Sequence, residues 1–401
     1  MTPEILQQAR PAATHPHASR RLRSSLLGLV LSAGLAAGAG AQTLKIGVIA
    51  ALTGPGAPWG LAAQQGATIL AAEVNAKGGL EVAGKKYKVD VVAYDDQYKA
   101  TDAVAAYQRL VKQDDVRYLI LMSSPSTMAL KQNVEDDQVV ALTSGITPFA
   151  VDAKTKYMFR LFSNPVDYVP GFAQWLKANV KERRIVVLNP NDEAGLDQNQ
   201  LCEGLYRKAG FDVVGRELFE RAQKDFQPLL TKIIGMKPDI IDLGSTAPAT
   251  AGVLVRQGRE LGYKGLFVKS SGPSPKEIVA AAGKEAAEGM VNLLYVDPGN
   301  DGYKQIAAEY RKAIGQEPNE IIVPFYDATN VLLRAIQKAG DVRDTTKVAA
   351  AFAQALPMQS VQGDTLTLGG KATSGVDRQI LTVDYIGVIR DGKAVSVGKV
   401  R

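Results

Sequence analysis

The sequence predicts an α/β protein with two lobes, each built on a mostly parallel β-sheet. Short apolar runs rich in Val and Ile alternate with segments whose apolar residues recur at helical spacing. This alternation starts again after Asn164-Pro165, as if a second unit began there. In both units the strands end in polar or small residues. Two such units predict a small-molecule cleft between lobes, because open α/β sheets bind ligands outside the carboxyl ends of their strands.

The first 41 residues have the features of an export signal. Arg20, Arg21 and Arg23 precede an apolar stretch, and a site of small residues ends at Ala41, the expected cleavage point. The paired arginines leave twin-arginine export open beside the general secretory route, which we favour. We therefore expect a periplasmic protein that begins near residue 42.

Composition excludes several classes of function. Both histidines, His15 and His17, lie in the predicted signal, so the mature chain has no imidazole for a His-dependent triad or for metal. Cys202 is the only cysteine, which precludes an intramolecular disulfide. The net charge of +6 falls towards neutrality on cleavage, because the signal carries four arginines and one glutamate. We expect no nucleic-acid partner, metal or cofactor.

In the first unit, five strands alternate with two clear helices and a polar, helix-like segment. The predicted strands cover residues 45–52, 87–94, 118–122, 139–142 and 157–161, and the clear helices cover 60–75 and 101–112. The polar segment lies between the third and fourth strands. This order of elements predicts that the strands run parallel.

Hydroxyl groups follow two neighbouring strands of the first unit. Ser123 and Ser124 come directly after one strand, and the turn with Gly145 and Thr147 follows the next. On a single loop these residues would indicate only turn chemistry. Their repetition on two strands predicts a row of neutral hydrogen-bond donors along one sheet edge, and so a binding pocket.

The second unit repeats the same arrangement. Its predicted strands are 184–188, 212–218, 240–243, 266–269 and 290–296, and its predicted helices are 170–180, 196–209 and 226–234. Polar or small residues follow the strands at 189–193, 244–246 and 270–273. Two further helices, 303–314 and 323–338, precede a strand-rich tail that includes 381–389.

Enzymatic alternatives find little support. The glycines near Gly54 lack the dinucleotide-loop spacing, and neither a G-x-S-x-G motif nor a histidine base is present for a secreted hydrolase. The adjacent acids Asp95-Asp96 and Asp192-Glu193 would point opposite ways on extended backbone, so neither is a ready acid–base couple. Trp59, at the first strand–helix junction, is expected to form an aromatic wall at the cleft rim.

Six stretches carry a resemblance to a known family: LKIGVIAALTGPGAPWG at 44–60, VVAYDDQYKATDAVAAYQRLV at 91–111, MSSPST at 122–127, the turn at 143–148, PDIIDLGSTAPATAGVLVRQGRELGYKG at 238–265 and FYDATNVLLRAIQKAG at 325–340. The chain resembles the periplasmic solute-binding proteins of branched-chain amino acid ABC transporters. The resemblance implies a type I periplasmic binding fold, with two Rossmann-like lobes that close on the ligand. It assigns residues 42–163 and 297–360 to lobe 1 and residues 164–296 and 361–401 to lobe 2. Hinges would lie near 163–164, 296–297 and 358–362.

The resemblance also implies a ligand site. In lobe 1, Ser123, Gly145 and Thr147 match residues that hold the carboxylate of an amino acid, and Trp59 matches an aromatic at the mouth. The expected contacts are Trp59, Ser123, Ser124, Gly145 and Thr147 in lobe 1, and Asn191, Glu193, Ser245, Thr246 and Ser271 in lobe 2.

Lobe 2 departs from the amino-acid binders. Ala194 replaces a common tyrosine, Ser245 and Thr246 replace aromatics, and no acid for an ammonium group occurs near Ser271-Gly272. Because a buried ammonium needs a partner, we expect a small carboxylate without an α-amino group, such as an aromatic or other organic acid. An amino-acid ligand stays open if Asp192 or Glu193 supplies the acid. The expected partner is the membrane permease of an ABC importer, which a monomer would serve; a sensor role is a third alternative.

Overall fold

Two β-sheets organise residues 42–400, the part of the chain that this computed structural model describes. The strands are β1 Gln42–Ala50, β2 Leu80–Val82, β3 Lys85–Asp95, β4 Tyr118–Leu121, β5 Val140–Thr143, β6 Met158–Arg160, β7 Arg184–Pro190, β8 Asp212–Phe219, β9 Ile240–Asp242, β10 Leu266–Lys269, β11 Val291–Leu294, β12 Met358–Gln359, β13 Thr365–Gly369, β14 Gln379–Leu381, β15 Tyr385–Arg390 and β16 Lys393–Lys399. The predicted signal peptide lies outside the described residues.

Helices connect and cover these strands. They are α1 Ala57–Ala76, α2 Ala100–Gln108, α3 Ser124–Asp136, α4 Pro165–Asn179, α5 Glu193–Ala209, α6 Gln227–Gly235, α7 Pro248–Glu260, α8 Pro275–Ala282, α9 Lys284–Ala287, α10 Asp301–Ile314, α11 Ile322–Ala339, α12 Thr345–Ala355 and α13 Lys371–Ser374. None of those between residues 42 and 400 is both long and apolar enough to cross a bilayer.

The predicted α/β class with mostly parallel sheets is confirmed. The first sheet has the order β12-β13-β14-β6-β5-β4-β1-β3-β2, and the second has the order β16-β15-β11-β10-β9-β7-β8. The central pairs are parallel, whereas β2, β13, β15 and β16 pair antiparallel at the margins. Every residue of β4 and β5 is buried, as expected for strands covered on both faces.

The third crossing between the sheets lies further along the chain than expected. The strands β13 and β14 belong to the first sheet, where Gln379 pairs with Arg160 of β6. Residues 361–381 therefore lie in lobe 1 and not in lobe 2, and the chain crosses at 382–384 rather than at 358–362. Of the predicted strand 381–389, residue 381 ends β14 and residues 385–389 belong to β15 in the other sheet. Ser163, at the first crossing, donates its Oγ hydrogen to the carbonyl of Thr382 at 3.3 Å.

The helices α1 and α5, which follow β1 and β7, start close against the end of the preceding strand, and a glycine allows this close approach. A Cβ on Gly60 of α1 would lie 1.8 Å from the carbonyl oxygen of Ala51, and one on Gly195 of α5 would lie 1.9 Å from that of Pro190. These distances are far below van der Waals contact. Both helix N-termini can therefore sit directly beside the carboxyl end of a central strand.

We expect Gly60→Ala to destabilise the protein by about 2–3 kcal/mol, because α1 must shift away from Ala51. Urea unfolding followed by circular dichroism would measure the change. Gly204→Ala in α5 is the matched control, since a Cβ there meets nothing within 4 Å. Equal stability of the two variants would contradict the packing argument.

Candidate ligand-binding site

A small, partly open cavity lies between the carboxyl ends of the two sheets. Its wall combines aromatic rings, aliphatic side chains and hydroxyls. The lining residues are Trp59, Tyr98, Phe162 and Tyr295, then Met122, Ile146 and Ile321, then Ser124, Ser144, Ser245 and Ser271, with Gly272. No carboxylate is among these lining residues. The wall suits a small, flat ligand with a polar end.

At the first hydroxyl cluster, Ser124 rather than Ser123 lines the cavity. Ser123 caps α3: its Oγ accepts from the backbone N–H of Ser126 at 3.2 Å and lies 2.7 Å from the Ser126 hydroxyl. Ser126 in turn donates to the buried carboxylate of Asp96, whose pKa is raised by burial. The Ser123 hydroxyl is thus engaged inside lobe 1, while the Ser124 Oγ accepts from the Thr147 N–H at 3.1 Å.

The second turn shows the same alternation. The N–H of Gly145 donates to Thr143 Oγ1 at 2.8 Å, and Thr147 Oγ1 accepts from the N–H of Phe149 at 3.3 Å. Their neighbours Ser144 and Ile146 line the cavity instead. Of the predicted lobe 1 residues, Trp59 and Ser124 therefore line the cavity. Ser123, Gly145 and Thr147 do not, although each is next in sequence to a residue that does.

We expect Ser124→Ala to weaken the binding of an oxygen-bearing ligand by about 1–2 kcal/mol, because it removes a hydroxyl from the wall. Ser123→Ala should instead lower the free energy of unfolding by about 1 kcal/mol through loss of the helix cap. Calorimetric titration and thermal unfolding of both variants would test this contrast. A larger affinity loss for Ser123→Ala than for Ser124→Ala would show that Ser123 contacts the ligand.

Of the predicted lobe 2 residues, the structure places Ser245 and Ser271 on the cavity. The Ser245 N–H and hydroxyl both donate to Asn189 Oδ1, at 2.8 and 3.0 Å, and the Ser271 Oγ lies 2.8 Å from the Tyr168 hydroxyl. Thr246 is fully buried but does not line the cavity. These bonds hold the loops after β9 and β10 in place.

Asn191 and Glu193, in contrast, do not line the cavity. Asn191 is exposed and donates its amide to Glu220 at 2.9 Å, and Glu193 is half-buried in the first turn of α5. Asp192, the other acid considered for an ammonium group, accepts from the Gly195 N–H at 3.1 Å and forms an ion pair with Arg221. Its carboxylate is therefore occupied.

A buried lysine beneath the cavity was not predicted from the sequence. Lys269 ends β10 and is fully buried. Its Nζ donates to the carbonyls of Gly244, Thr246 and Ser271 at 2.7–2.8 Å. Three acceptors match the three protons of an ammonium group, so this geometry is that of the charged lysine. A charged residue at the end of an otherwise apolar strand was the only sequence signal for it.

Lys269 also lies beside the cavity wall. Its Nζ is 5.8 Å from the centre of the Trp59 ring, which favours a cation there. The pKa of Lys269 is lowered to about 7, mainly by burial and also by the charge of Arg221, while the charges of Asp242 and Glu277 offset part of this lowering. The lysine is thus a cation whose proton can be lost near neutral pH.

We expect an anion in this cavity to bind less tightly as pH rises above about 7. The anion favours the charged lysine and raises its pKa, so binding takes up protons wherever the free protein has begun to lose them. Because the pKa of Lys269 is lowered to about 7, the charged fraction of the lysine, and with it the affinity for an anion, falls as the pH rises through that value. Calorimetry at pH 7.5 in two buffers with different ionisation enthalpies would detect this uptake. Identical binding enthalpies in the two buffers would contradict it.

Arg160 stabilises the corresponding loop in lobe 1. Its side chain is buried at the end of β6 and donates to the carbonyls of Gly145 and Thr147 at 2.8 and 2.5 Å. Burial lowers its pKa to about 10. Each lobe therefore uses one buried cation to hold the backbone of a cavity loop, and both cations add positive potential at the cleft.

The two lobes touch each other around the cavity. Trp59 of lobe 1 lies against Gly272 of lobe 2, where a Cβ would be 3.0 Å from its Cζ2. Asn319 donates to the Pro273 carbonyl at 2.9 Å, and the Arg221 guanidinium stacks on Tyr98, 4.0 Å from the ring centre. The structure is thus a closed arrangement in the sense that the two lobes are in contact around the cavity.

Comparison with known proteins gives a consistent result. A family model described as periplasmic binding protein matches residues 43–391. The leucine-, isoleucine-, valine-, threonine-, and alanine-binding protein of Pseudomonas aeruginosa is 29% identical over 315 residues, covering 78% of this chain and 82% of that protein.

Two solved structures share the fold. One is a leucine-binding protein from Thermotoga maritima, with a TM-score of 0.76 and 22% identity over 89% of this chain and 98% of that one. The other is an R. palustris solute-binding protein in complex with benzoate, with a TM-score of 0.75 and 20% identity over 89% and 96% of the two chains.

Proposed function

The chain belongs to the periplasmic binding protein family, and we propose that it captures a small aromatic carboxylate in its cleft for the permease of an ABC importer. As a member of this family it is a solute-binding protein and not an enzyme. We propose further that it acts in the periplasm as a monomer. Capture would proceed by a population shift, because a ligand that touches both lobes stabilises only the closed arrangement.

One observation carries the choice of ligand: the buried cation of Lys269 lies beneath a cavity whose wall has no carboxylate. A buried cation without a carboxylate in contact is costly unless an anion approaches it. A ligand carboxylate would supply this charge, while a ligand ammonium would find no acid on the wall. The four aromatic residues of the wall favour a flat, apolar body. The benzoate-bound relative shows that this fold accommodates such a ligand.

Calorimetric titration of the mature protein tests the proposal. The panel is benzoate, phenylacetate, leucine and phenylalanine, with benzamide as the uncharged control for benzoate. We expect the aromatic carboxylates to bind at least tenfold more tightly than the amino acids and than benzamide. Tighter binding of leucine or phenylalanine than of any aromatic acid would overturn the proposal.

An amino-acid ligand is the second candidate, and one feature favours it besides the names of the relatives. Asp197 of α5 interacts with Thr147 of lobe 1, and burial raises its pKa. Its Oδ2 atom is buried and has no hydrogen-bond partner within residues 42–400. If an amino acid binds, Asp197→Asn should abolish that binding. The same change should leave the affinity for aromatic carboxylates within about threefold.

A further inference from the structure

Arg221 carries two buried hydrogen-bond donors that the protein leaves unused. The residue follows β8 in lobe 2, and its Nε donates to Asp192 in an ion pair. Its terminal nitrogens Nη1 and Nη2 are buried and have no hydrogen-bond partner within the described part of the chain. Buried donors are almost always paired, so two on one guanidinium call for an acceptor from outside the chain.

Arg221 does not itself line the cavity, but its contact with a residue of the cavity wall points to the ligand as that acceptor. Its guanidinium stacks on the ring of Tyr98 at 4.0 Å, and Tyr98 is part of the cavity wall. The side chain is only 19% exposed, so bulk water does not supply hydrogen-bond acceptors to all the donors of the guanidinium. The Nη1–Nη2 edge of a guanidinium is a planar fork that matches the two oxygens of a carboxylate or a single oxygen between them.

Residues of both lobes hold the Arg221 guanidinium in place: Asp192 in lobe 2 and Tyr98 in lobe 1. Asp192 holds the Nε of Arg221 and is itself fixed at the start of α5 by the Gly195 N–H. Tyr98 has a left-handed backbone, with φ of 63°, and its N–H donates to Asp96 at 2.8 Å. A tyrosine in this conformation is strained, and such strain concentrates at functional sites. The rigid pair therefore presents the free edge of Arg221 in one orientation.

We propose that Arg221 binds a second oxygen-bearing group of the ligand, so that the preferred solute is an aromatic carboxylate with another carboxylate or a hydroxyl on its ring. The inference rests on the proposed function, because it assumes an aromatic acid in the cleft. Lys269 then attracts the first carboxylate, and Arg221 selects for the second group. Asp192 already offsets the charge of Arg221, so a neutral hydroxyl oxygen and a carboxylate are both suitable acceptors.

The test compares three ligands on four proteins by calorimetric titration. The ligands are benzoate, 4-hydroxybenzoate and benzene-1,4-dicarboxylate. The proteins are the mature native chain, Arg221→Met, Arg221→Lys and Arg216→Met. Arg216 is the matched control, since it is an arginine of the same lobe that pairs with Glu203 at 3.0 Å with its side chain 47% exposed.

For the native protein and Arg216→Met, we expect at least one of the two ring-substituted acids to bind tenfold or more tightly than benzoate. In Arg221→Met this preference should fall to within twofold, and Arg221→Lys should retain part of it. The ratio of affinities is the decisive readout, because loss of the stacking on Tyr98 would weaken all three ligands equally. Whichever of the two ring-substituted acids the native protein prefers over benzoate identifies the second group as a carboxylate or a hydroxyl.

Two results would overturn the inference while leaving the proposed function intact. One is a native protein that binds benzoate as tightly as both substituted acids. The other is an unchanged preference in Arg221→Met. If the native protein binds none of the three acids, the proposed function fails, and this inference fails with it.

Discussion

Lys269→Met should lower the affinity for an aromatic carboxylate by about 100-fold, or about 3 kcal/mol. The substitution removes the buried cation beneath the cavity, whose charge we propose attracts the ligand carboxylate. Methionine keeps most of the length of the apolar stem and removes the Nζ that lies 5.8 Å from the centre of the Trp59 ring. Calorimetric titration of native and variant protein with benzoate would measure the loss.

The same substitution also deprives three backbone carbonyls of their donor, so its effect on stability must be separated from its effect on charge. Thermal unfolding should show a lower Tm, because buried acceptors are costly to leave unpaired. Benzamide provides the separation, since it has the shape of benzoate and no charge. An equal loss of affinity for benzamide and benzoate would show that Lys269 shapes the loop and does not select for charge.

Trp59→Ala is expected to weaken ligand binding by about 3 kcal/mol or more. The Trp59 side chain is 5% exposed, lies against Gly272 across the cleft, and its ring centre is 6.4 Å from that of Tyr98. Replacing a buried aromatic by alanine costs about 3–5 kcal/mol. Part of this burial exists only while the lobes touch, so the cost should fall on the closed, liganded state. The ligand-free Tm should change much less than the affinity.

Small-angle scattering with and without ligand would show whether the two lobes of the Trp59→Ala variant still close on the ligand. Trp59→Phe, which keeps an aromatic wall, should lose no more than about tenfold in affinity. Trp175 is the matched control, because it is the only other tryptophan and lies in α4 against Gly398 rather than at the cavity. If Trp175→Ala weakens binding as strongly as Trp59→Ala, the aromatic-wall argument is wrong.

Local sequence was a good guide to the elements of this protein and a poorer guide to its longest-range connection. The alternation of apolar and helical segments predicted the α/β class, and 266–269 was predicted with its bounds as observed. The tail was harder, because β14 and β15 form one apolar stretch in sequence. They separate at 382–384 because β14 pairs with β6 and β15 with β11, a choice that depends on partners more than 90 residues away.

The candidate site shows the same division. The two hydroxyl clusters and Trp59 were found from sequence, since strand ends with small polar residues mark a sheet edge. Which member of each cluster reaches the cavity was not found. Neighbouring residues on extended backbone point in opposite directions, so Ser124 lines the wall while Ser123 caps a helix.

The sequence by itself determined the fold class, the family and the region of the cleft, because these follow from periodicity and from motifs that are local along the chain. Only the tertiary structure decided the third crossing, the cavity-facing side chains, the burial of Lys269 and Arg160 and the partial burial of Arg221. The reason is that burial and hydrogen-bond partners come from residues far apart in sequence. A lysine after three apolar residues becomes a buried cation only when the loops after β9 and β10 supply three carbonyls to it.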